Sequence, residues 1–343
     1  MAEQKKAVFF GELLMRLGTK QFERFVQASE FTVGFTGAEA NVAVSLANYG
    51  LETYVVSQVP KSDIGQACIN CLRKYGVNTD YIKRGGKRLG TFYLETGASQ
   101  RPSQVIYDRA NSSLTELKKG DLNWDEILKG KHWFHFCGTA PALADNMPAI
   151  VDEACAAAKK HGLTVSCDLN YRKKLWSKEK AREVMTGLMQ YVDVLIGNEE
   201  DADNVFGIKA QGVDVTAGKM DEKRYADVAS QLYDKFGLKY VAITLRESIS
   251  ASENNWSGML YDGDQAYFSR KYNIIIVDRV GGGDSFSGGL IYGFLTGMSA
   301  RETIEFAAAA SCLKHSIHGD FNLVSLEEVK TLMQGDASGR IQR

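Results

Sequence analysis

Short apolar runs alternate with amphipathic helical patterns through most of the sequence after residue 132. The predicted strands, each with the helix that follows it, are 132–137 and 148–161, 164–168 and 178–191, and 193–196 and 199–206. A strand–helix–strand unit brings the chain back parallel to its first strand, so repetition of the unit builds a parallel sheet with helices on both faces. The sequence therefore predicts a three-layer α/β fold, whose ligands bind beyond the carboxyl ends of the strands.

Strand-like runs in the first third of the chain break this alternation. They fall within about residues 12–35 and 90–110. We expect them to form a small separate sheet that covers the site as a lid and excludes water from it. Because the sequence has no low-complexity linker and no repeat, we expect a single domain over residues 1–335, followed by a C-terminal tail at 336–343.

Composition and charge narrow the possible partners. A net charge of −1 over 343 residues gives no general attraction to nucleic acid or anionic membranes. No apolar stretch approaches the roughly 18 residues that span a bilayer, and the first residues do not resemble a signal peptide. Six scattered cysteines, without a second Cys-x-x-Cys pair or paired histidines, indicate reduced thiols rather than a zinc site. We therefore expect a cytoplasmic protein that binds small molecules.

Three consecutive glycines and an aspartate separate an apolar run at 273–277 from a helical pattern around Leu290. The apolar run predicts a buried strand. Glycine lets backbone N–H groups approach a ligand closely, and a helix N-terminus adds free donors and partial positive charge. The stretch therefore predicts an anion cradle at Gly281, Gly282 and Gly283, with the Asp284 carboxylate beside it. The alternative is an ordinary turn in which Asp284 only caps the helix.

A phosphate and a proton acceptor at one point suit phosphoryl transfer, which needs an anion cradle, a metal ion, a base beside the acceptor hydroxyl and exclusion of water. In this interpretation Asp284 is the catalytic base. Its position near a helix N-terminus predicts a carboxylate that stays ionised and is a weak base.

Residues 278–284 resemble the Asp-x-x-Gly-(Ala/Gly)-Gly-Asp signature of the ribokinase-like (PfkB) carbohydrate kinases. The resemblance extends from Gly11 to about Met333. It implies the ribokinase-like fold with its lid, ATP as the phosphoryl donor, Mg²⁺ as the metal, and Asp284 as the base. It leaves open whether a monovalent cation assists. Because open sheet edges invite pairing, we also expect a homo-oligomer formed through the lid.

Two more segments resemble binding motifs of this family. Residues 37–41 are similar to its first signature, which implies that Gly37 and Asn41 contact the sugar. The plainer alternative is a glycine turn into a helix.

Residues 198–201 resemble the Asn-x-x-Glu motif, which implies an indirect role in Mg²⁺ and phosphate binding for Asn198. Asp201 replaces the usual glutamate, so Glu200 is a second candidate. The plainer alternative is an acidic first helical turn.

The nucleotide contacts implied by the resemblance come from three later segments. Thr244 and Arg246 lie where the family has a Thr-Leu-Gly segment after a strand, although arginine replaces the glycine. His318 lies in a late segment that borders adenine in the family, and a structural histidine is the alternative. Gly281 and Gly283 are expected to contact the phosphates.

The substrate prediction depends on three arginines and two tyrosines. Arg16 stands where neutral-sugar kinases of the family have an acid, and an arginine there favours an anionic substrate. Tyr107, Arg109 and Arg172 lie in segments that resemble 2-keto-3-deoxygluconate kinases, where such residues meet the carboxylate and keto end of the sugar acid. By the same resemblance Tyr93, on the lid, joins them.

The resemblance thus implies ATP-dependent phosphorylation of 2-keto-3-deoxygluconate at its 6-hydroxyl. Other family kinases, for fructose or 5-dehydro-2-deoxygluconate, remain alternatives, and the sequence does not distinguish the galactonate epimer. A non-catalytic sugar-acid sensor on the same fold is a further alternative, although a sensor needs no base. A nicotinamide oxidoreductase is disfavoured because the dinucleotide-binding glycine spacing is absent.

Overall fold

The computed structural model describes residues 4–209 and 222–335. Its strands are β1 (Lys6–Phe10), β2 (Leu14–Gly18), β3 (Thr32–Thr36), β4 (Glu52–Val59), β5 (Ile82–Arg84), β6 (Gly90–Glu95), β7 (Gln104–Asp108), β8 (Trp133–Cys137), β9 (Thr164–Asp168), β10 (Val194–Gly197), β11 (Tyr240–Ser248), β12 (Glu253–Tyr261), β13 (Ala266–Phe268) and β14 (Tyr272–Ile275). Its α-helices are α1 (Ala38–Asn48), α2 (Asp63–Lys74), α3 (Trp124–Leu128), α4 (Met147–Lys160), α5 (Lys178–Leu188), α6 (Glu199–Phe206), α7 (Glu222–Phe236), α8 (Gly282–Thr296), α9 (Ala300–Lys314) and α10 (Leu326–Gln334). Short 3₁₀ helices cover Ser113–Glu116 and Met189–Tyr191.

The larger sheet has ten strands within the described ranges. Strands β11, β10, β9, β8, β1, β4 and β5 lie side by side and parallel, and β12 and β13 continue one side in antiparallel pairing. Alternate side chains of β1 enter opposite cores: Val8 and Phe10 join one apolar cluster, and Ala7 and Phe9 join the other. This alternation follows from the two-residue period of a strand. The mainly parallel sheet with a core on each face confirms the predicted α/β fold.

A second sheet of four strands, in the order β3-β2-β6-β7, is separate from the larger sheet. It contains the segments predicted for the lid. Its inner face carries a small apolar cluster of Leu14, Phe92 and Leu94. We call these four strands the lid.

The strand before the glycine corner differs from its prediction. β14 lies at the margin of the large sheet, paired antiparallel with β12. Ile275 is 78% exposed and Val277 is 49% exposed. A β-branched run favours an extended backbone whether or not it is covered, and a strand with one uncovered face leaves every second side chain in solvent. The prediction of a buried strand is therefore wrong, although strand structure over part of the run is correct.

The C-terminal tail predicted at 336–343 lies outside the described residues. Within the described part of the chain, none of the helices combines the length and apolar character needed to cross a bilayer.

Candidate active site

Two adjoining cavities lie at the carboxyl ends of the parallel strands. The inner cavity, of about 480 Å³, lies beneath the lid and is lined by Phe92, Leu94, Asn41 and Asp284 among others. The outer cavity, of about 1310 Å³, extends along the ends of β9, β10 and β11. The residues that line both are Tyr107, Arg109, Asp168, Asn170, Arg172, Arg246 and Gly283. A smaller chamber and a larger one therefore meet at Gly283.

Two of the three glycines at this meeting point are required by close contacts, and the third is open to the cavities. Gly281 precedes α8 with φ 82°, and a Cβ there would overlap the carbonyl oxygen of Asp320. A Cβ on Gly282 would overlap the ring of His315. Gly283 has no neighbouring atom within 4 Å of its Cβ position and is exposed to both cavities. Gly281 and Gly282 thus shape the corner, and Gly283 presents its backbone to a ligand.

Asp278 holds the corner in place. Its Oδ1 accepts a hydrogen bond from the backbone N–H of Val280 at 3.1 Å. Its Oδ2 accepts from Arg16 Nη2 at 2.6 Å and from the N–H of Gly319 at 3.0 Å. The aspartate that opens the signature therefore joins the corner to the lid and to the loop after α9.

Asp284 points into the inner cavity from the first turn of α8. Its Oδ2 accepts a hydrogen bond from Asn41 Nδ2 at 2.6 Å. The hydroxyl of Thr36 donates to Asn41 Oδ1 at 2.9 Å, which fixes the end of the amide that faces Asp284. Asn41 therefore orients the carboxylate, and its predicted contact with the sugar remains a prediction.

Burial raises the pKa of Asp284 to about 6, with a further contribution from the charge of Asp320, against the lowering effects of Asn41, Arg172 and Lys314. The predicted weak base is therefore corrected. The helix N-terminus favours the ionised form, but removal from water outweighs it. A carboxylate with a pKa near 6 is a better proton acceptor than an ordinary aspartate and is still mostly ionised at pH 7.

We expect kcat/KM to rise with pH and to level off above about pH 7, because the predicted base, Asp284, can accept a proton only when ionised and its pKa is raised to about 6. Steady-state rates between pH 5 and 8.5 at constant ionic strength test this. An ordinary aspartate pKa near 4 would leave the profile flat over the same range, and that result would contradict the assignment.

Asp168 is a site residue that the sequence analysis did not identify. It ends β9 and lines both cavities. Burial, together with the charges of Asp201 and Asp284, raises its pKa to about 8. The next residue but one, Asn170, has a left-handed φ of 38° and donates its N–H to Asp168 Oδ1 at 3.1 Å. The sequence signal that could have identified Asp168 was its position at the end of a predicted strand, four residues before Arg172.

Glu39 forms part of the floor of the inner cavity. Its carboxylate accepts the backbone N–H of Cys137 at 3.0 Å, and burial raises its pKa to about 7. A Cβ on Gly11 would overlap this carboxylate, and a Cβ on Gly37 would overlap the carbonyl oxygen of Glu12. Gly37 therefore shapes the cavity wall, which it also lines. Glu39 is another residue that the motif comparison passed over.

The predicted metal-associated residues share one turn of α6 and line the outer cavity. Asn198 is the N-cap, and its Oδ1 accepts the N–H of Asp201 at 2.9 Å. Asp201 accepts the N–H of Tyr171 at 3.2 Å, and burial raises its pKa to about 6. Glu200 is exposed to the cavity. Within the described ranges, no group of three or more His, Cys, Asp and Glu side chains is arranged to hold a metal ion. The amide and the two carboxylates are oxygen ligands of the kind that Mg²⁺ contacts through water, and their metal role stays a prediction.

Arg172 is accessible to a ligand in either cavity. Its side chain is exposed and lines both cavities, and Nη1 donates to the carbonyl of Tyr171 at 3.0 Å. Its charge lowers the pKa values of Asp168, Asp201 and Asp284 against the larger effect of burial. A guanidinium in this place can pair with a bound anion.

Tyr107 and Arg109 also line both cavities, and their contacts with a ligand stay predictions. Arg109 Nε donates to Glu12 Oε2 at 2.7 Å, and the guanidinium lies 5.3 Å from the ring centre of Tyr107. Ser112 donates to the other oxygen of Glu12. Arg109 is therefore already paired with an acid at the edge of the site.

Arg16 does not lie where the substrate prediction puts it. It is buried, lines neither cavity, and forms ion pairs with Asp278 at 2.6 Å and with Asp320. Because both carboxylates belong to loops around the glycine corner, Arg16 is a structural cation that ties the lid to that corner. The predicted substrate contact is corrected accordingly.

Tyr93 lies on the other face of the lid. Phe92 and Leu94 face the inner cavity, so strand alternation directs Tyr93 outward, where it packs edge-to-face on Phe31 with ring centres 5.7 Å apart. Phe92 instead contacts Tyr107, with ring centres 5.7 Å apart. Phe92 therefore lines the cavity where the prediction placed Tyr93.

The three predicted nucleotide contacts separate in the structure. Thr244 and Arg246 line the outer cavity, and Arg246 also lines the inner one. His318 lines neither cavity, and its Nδ1 lies 3.7 Å from Asp278 Oδ2 on the surface. His318 is therefore removed from the predicted nucleotide contacts.

Comparison with known proteins identifies the family of this chain. Residues 4–324 match the pfkB family of carbohydrate kinases. A solved structure of 2-dehydro-3-deoxygluconokinase from Thermotoga maritima is 50% identical, covers 97% of this chain and 99% of its own, and superposes with a TM-score of 0.93. A 2-dehydro-3-deoxygalactonokinase from Haloferax volcanii is 30% identical over 97% of this chain and 98% of its own. A 5-dehydro-2-deoxygluconokinase from Geobacillus thermodenitrificans is 26% identical over 97% and 94%. This chain belongs to the pfkB family of carbohydrate kinases.

Proposed function

We propose that the protein transfers the γ-phosphoryl group of ATP to the 6-hydroxyl of 2-keto-3-deoxygluconate (2-dehydro-3-deoxygluconate). The observation that carries this proposal is that Asp284 and Arg172 line the same cavity beneath the lid. Arg172 offers a guanidinium to the sugar-acid carboxylate, and Asp284 accepts the proton of the attacking hydroxyl. The similarity to the Thermotoga maritima protein supports the same substrate class.

The donor nucleotide belongs in the outer cavity, with its terminal phosphate over Gly283. Thr244 and Arg246 lie along this cavity, and the α6 turn with Asn198, Glu200 and Asp201 would hold Mg²⁺ through water and phosphate. Bound Mg²⁺ would neutralise charge that develops on the phosphoryl oxygens. Such a kinase fits the reducing, ATP-containing cytoplasm, and all six cysteines are unpaired.

A rate panel distinguishes this substrate from the alternatives. Purified protein, ATP and Mg²⁺ are assayed by coupled ADP release against 2-keto-3-deoxygluconate, its galactonate epimer, 5-dehydro-2-deoxygluconate and fructose. We expect the first to have the highest kcat/KM. The galactonate epimer is the second candidate because of the Haloferax volcanii relative, and 5-dehydro-2-deoxygluconate is the third. A preference for fructose, which has no carboxylate, would contradict the role of Arg172.

Two arginine variants separate binding from structure. We expect Arg172→Met to lower kcat/KM for the sugar acid by about 100-fold, because an ion pair to the carboxylate is lost. Its melting temperature should stay close to that of the unmodified protein, because Arg172 is exposed.

Arg16→Met should do the reverse. It leaves Asp278 and Asp320 buried without their partner, which costs about 3–5 kcal/mol of unfolding free energy. Thermal melting and steady-state kinetics on both variants test this pair of expectations. A stable Arg16 variant with a selective loss of sugar-acid binding would restore the original prediction for Arg16.

We also propose that two copies pair through the outer face of the lid. Val33, Leu17, Tyr93 and Ile106 form one continuous row across its four strands by their register. Val33 is 56% exposed and Ile106 is 53% exposed, whereas Leu17 and Tyr93 between them are half-buried, so the row is an apolar band whose two ends are open to solvent. Light scattering should give twice the chain mass, and Val33→Asp with Ile106→Asp should give the single-chain mass. A monomeric unmodified protein would contradict this proposal.

A further inference from the structure

Lys314 is a lysine with no accessible surface beside the glycine corner. It is the last residue of α9, and its Nζ donates to the carbonyl oxygens of Asp278 and Ile317, both at 3.3 Å. One of these carbonyls opens the signature loop, and the other belongs to the loop after α9. The ammonium therefore joins the two segments that flank Gly281.

The charges around Lys314 are mainly acidic. The carboxylates of Asp278, Asp320 and Asp284 act on it as favourable charges, and Arg16 is the opposing cation. Burial nevertheless lowers the pKa of Lys314 below its usual value. Lysine is rarely buried without a specific purpose, because desolvating the ammonium is costly. Here the buried ammonium is shared between two main-chain carbonyl oxygens, close to the carboxylate of Asp284.

Such an environment is the kind that a monovalent metal ion uses. Potassium sites in proteins are built from carbonyl oxygens that replace the water around the ion, and nearby carboxylates add favourable charge. Here the carbonyls of Asp278 and Ile317 already converge on an ammonium supplied by the chain. The residues present therefore do not fit an added monovalent cation at this place, because Lys314 occupies it.

We propose that Lys314 is a built-in monovalent cation that positions the glycine corner, so that phosphoryl transfer by this protein does not require potassium or sodium. This inference rests on the proposed kinase function. Lys314 acts through the backbone of the corner, so it is a positioning residue.

The first test uses the unmodified protein and needs no variant. Phosphorylation of 2-keto-3-deoxygluconate is measured in potassium, sodium, ammonium or tetramethylammonium chloride at equal ionic strength. We expect rates within about two-fold of one another. At equal ionic strength the four salts screen charges to the same extent, and no specific cation effect should be added to that. The melting temperature of the ligand-free protein should likewise be the same in all four salts. A tenfold or larger stimulation by potassium would overturn the proposal. An effect of that size is what we would expect if an electrostatic contact were missing until the ion binds.

The second test removes the ammonium and offers a replacement. In tetramethylammonium chloride, Lys314→Ala should lose about 100-fold in kcat. Potassium or ammonium ions should restore at least about tenfold of that loss and raise its melting temperature, because the variant leaves room for a cation among the same carbonyls. Lys314→Met fills that space without a charge and should not be rescued.

Lys159→Ala is the matched control. Lys159 lies in the last turn of α4, and its Nζ contacts Asp193 at 2.7 Å, far along the chain from the corner. It should show no cation rescue. A Lys314→Ala variant that is fully active in tetramethylammonium chloride, or that no cation rescues, would overturn the proposal. If that variant does not fold, the four-salt comparison decides.

The test is separable from the substrate assignment. Any sugar that the panel shows to be phosphorylated can serve in the rate measurements, and the melting measurements need none. A wrong substrate would therefore leave the cation result intact. A cation-dependent unmodified protein would refute the role of Lys314 while leaving the kinase proposal in place.

Discussion

Replacing Asp284 with asparagine should lower kcat by about 10³-fold or more, because general-base assistance contributes about 10²–10⁴ and the charge beside the corner is lost as well. The dissociation constant for ATP should change little, since Asp284 lines only the inner cavity. Rapid-quench kinetics with isothermal titration of ATP give both quantities. The amide keeps the size of the side chain and can still accept the hydrogen bond from Asn41.

The effect on stability should run opposite to the effect on rate. Because the pKa of Asp284 is raised on folding, its ionised form destabilises the folded state at neutral pH, and this cost is absent well below pH 4. Asp284→Asn should therefore melt at the same temperature or higher at pH 7. Normal turnover by this variant would refute Asp284 as the base.

Asp193→Asn is the contrasting control. Asp193 is buried and paired with Lys159 and Lys239, and hydrogen bonds from Lys159 and the Val165 N–H help to lower its pKa despite burial. Its ionised form stabilises the fold above the unfolded pKa near 4, and that stability is lost as the pH falls through the lower folded value. The control should thus lose melting temperature and keep kcat.

Gly281→Ala should be the most damaging small substitution in the corner. The residue needs a φ of 82°, and the added methyl would overlap the carbonyl oxygen of Asp320. We expect a loss of about 3 kcal/mol or more in unfolding free energy, with kcat reduced in whatever protein remains folded. Urea denaturation and kinetics at a temperature well below melting measure the two effects.

Two other glycines dissect that result. Gly297 ends α8 at φ 78° with no atom near its Cβ position, so Gly297→Ala reports backbone strain alone, about 1 kcal/mol. Gly283→Ala should fold normally and weaken ATP binding, because its methyl would enter the cavity. If Gly281→Ala were no worse than Gly297→Ala, the close approach of the Asp320 backbone would be unimportant.

The local sequence pattern predicted strands and helices well where hydrophobic periodicity alone determines them. The strand Thr164–Asp168 and the helix Glu199–Phe206 agree with their predictions residue by residue. The separate lid also followed from the break in alternation. The burial of the run at 273–277 did not, because burial depends on what packs against a strand rather than on its own residues.

The sequence predicted which segments form the site. It was less successful in predicting which side chains face the cavities and which partners they contact. Arg16 finds its partners 262 and 304 positions away, a pairing that no local pattern reveals. The choice between Phe92 and Tyr93 depends on which strand face meets the cavity. The raised pKa of Asp284 depends on burial that only the folded chain provides. The kind of chemistry that a residue type can perform was therefore easier to predict than the partners, orientation and burial of an individual side chain.

A crystal structure with a non-hydrolysable ATP analogue, Mg²⁺ and 2-keto-3-deoxygluconate tests the central claim most directly. The account predicts the γ-phosphate against the N–H of Gly283, the sugar carboxylate on Arg172, and the 6-hydroxyl oxygen about 3 Å from an Asp284 carboxylate oxygen. A ternary complex that places Asp284 well beyond hydrogen-bond reach of the reacting hydroxyl would contradict it.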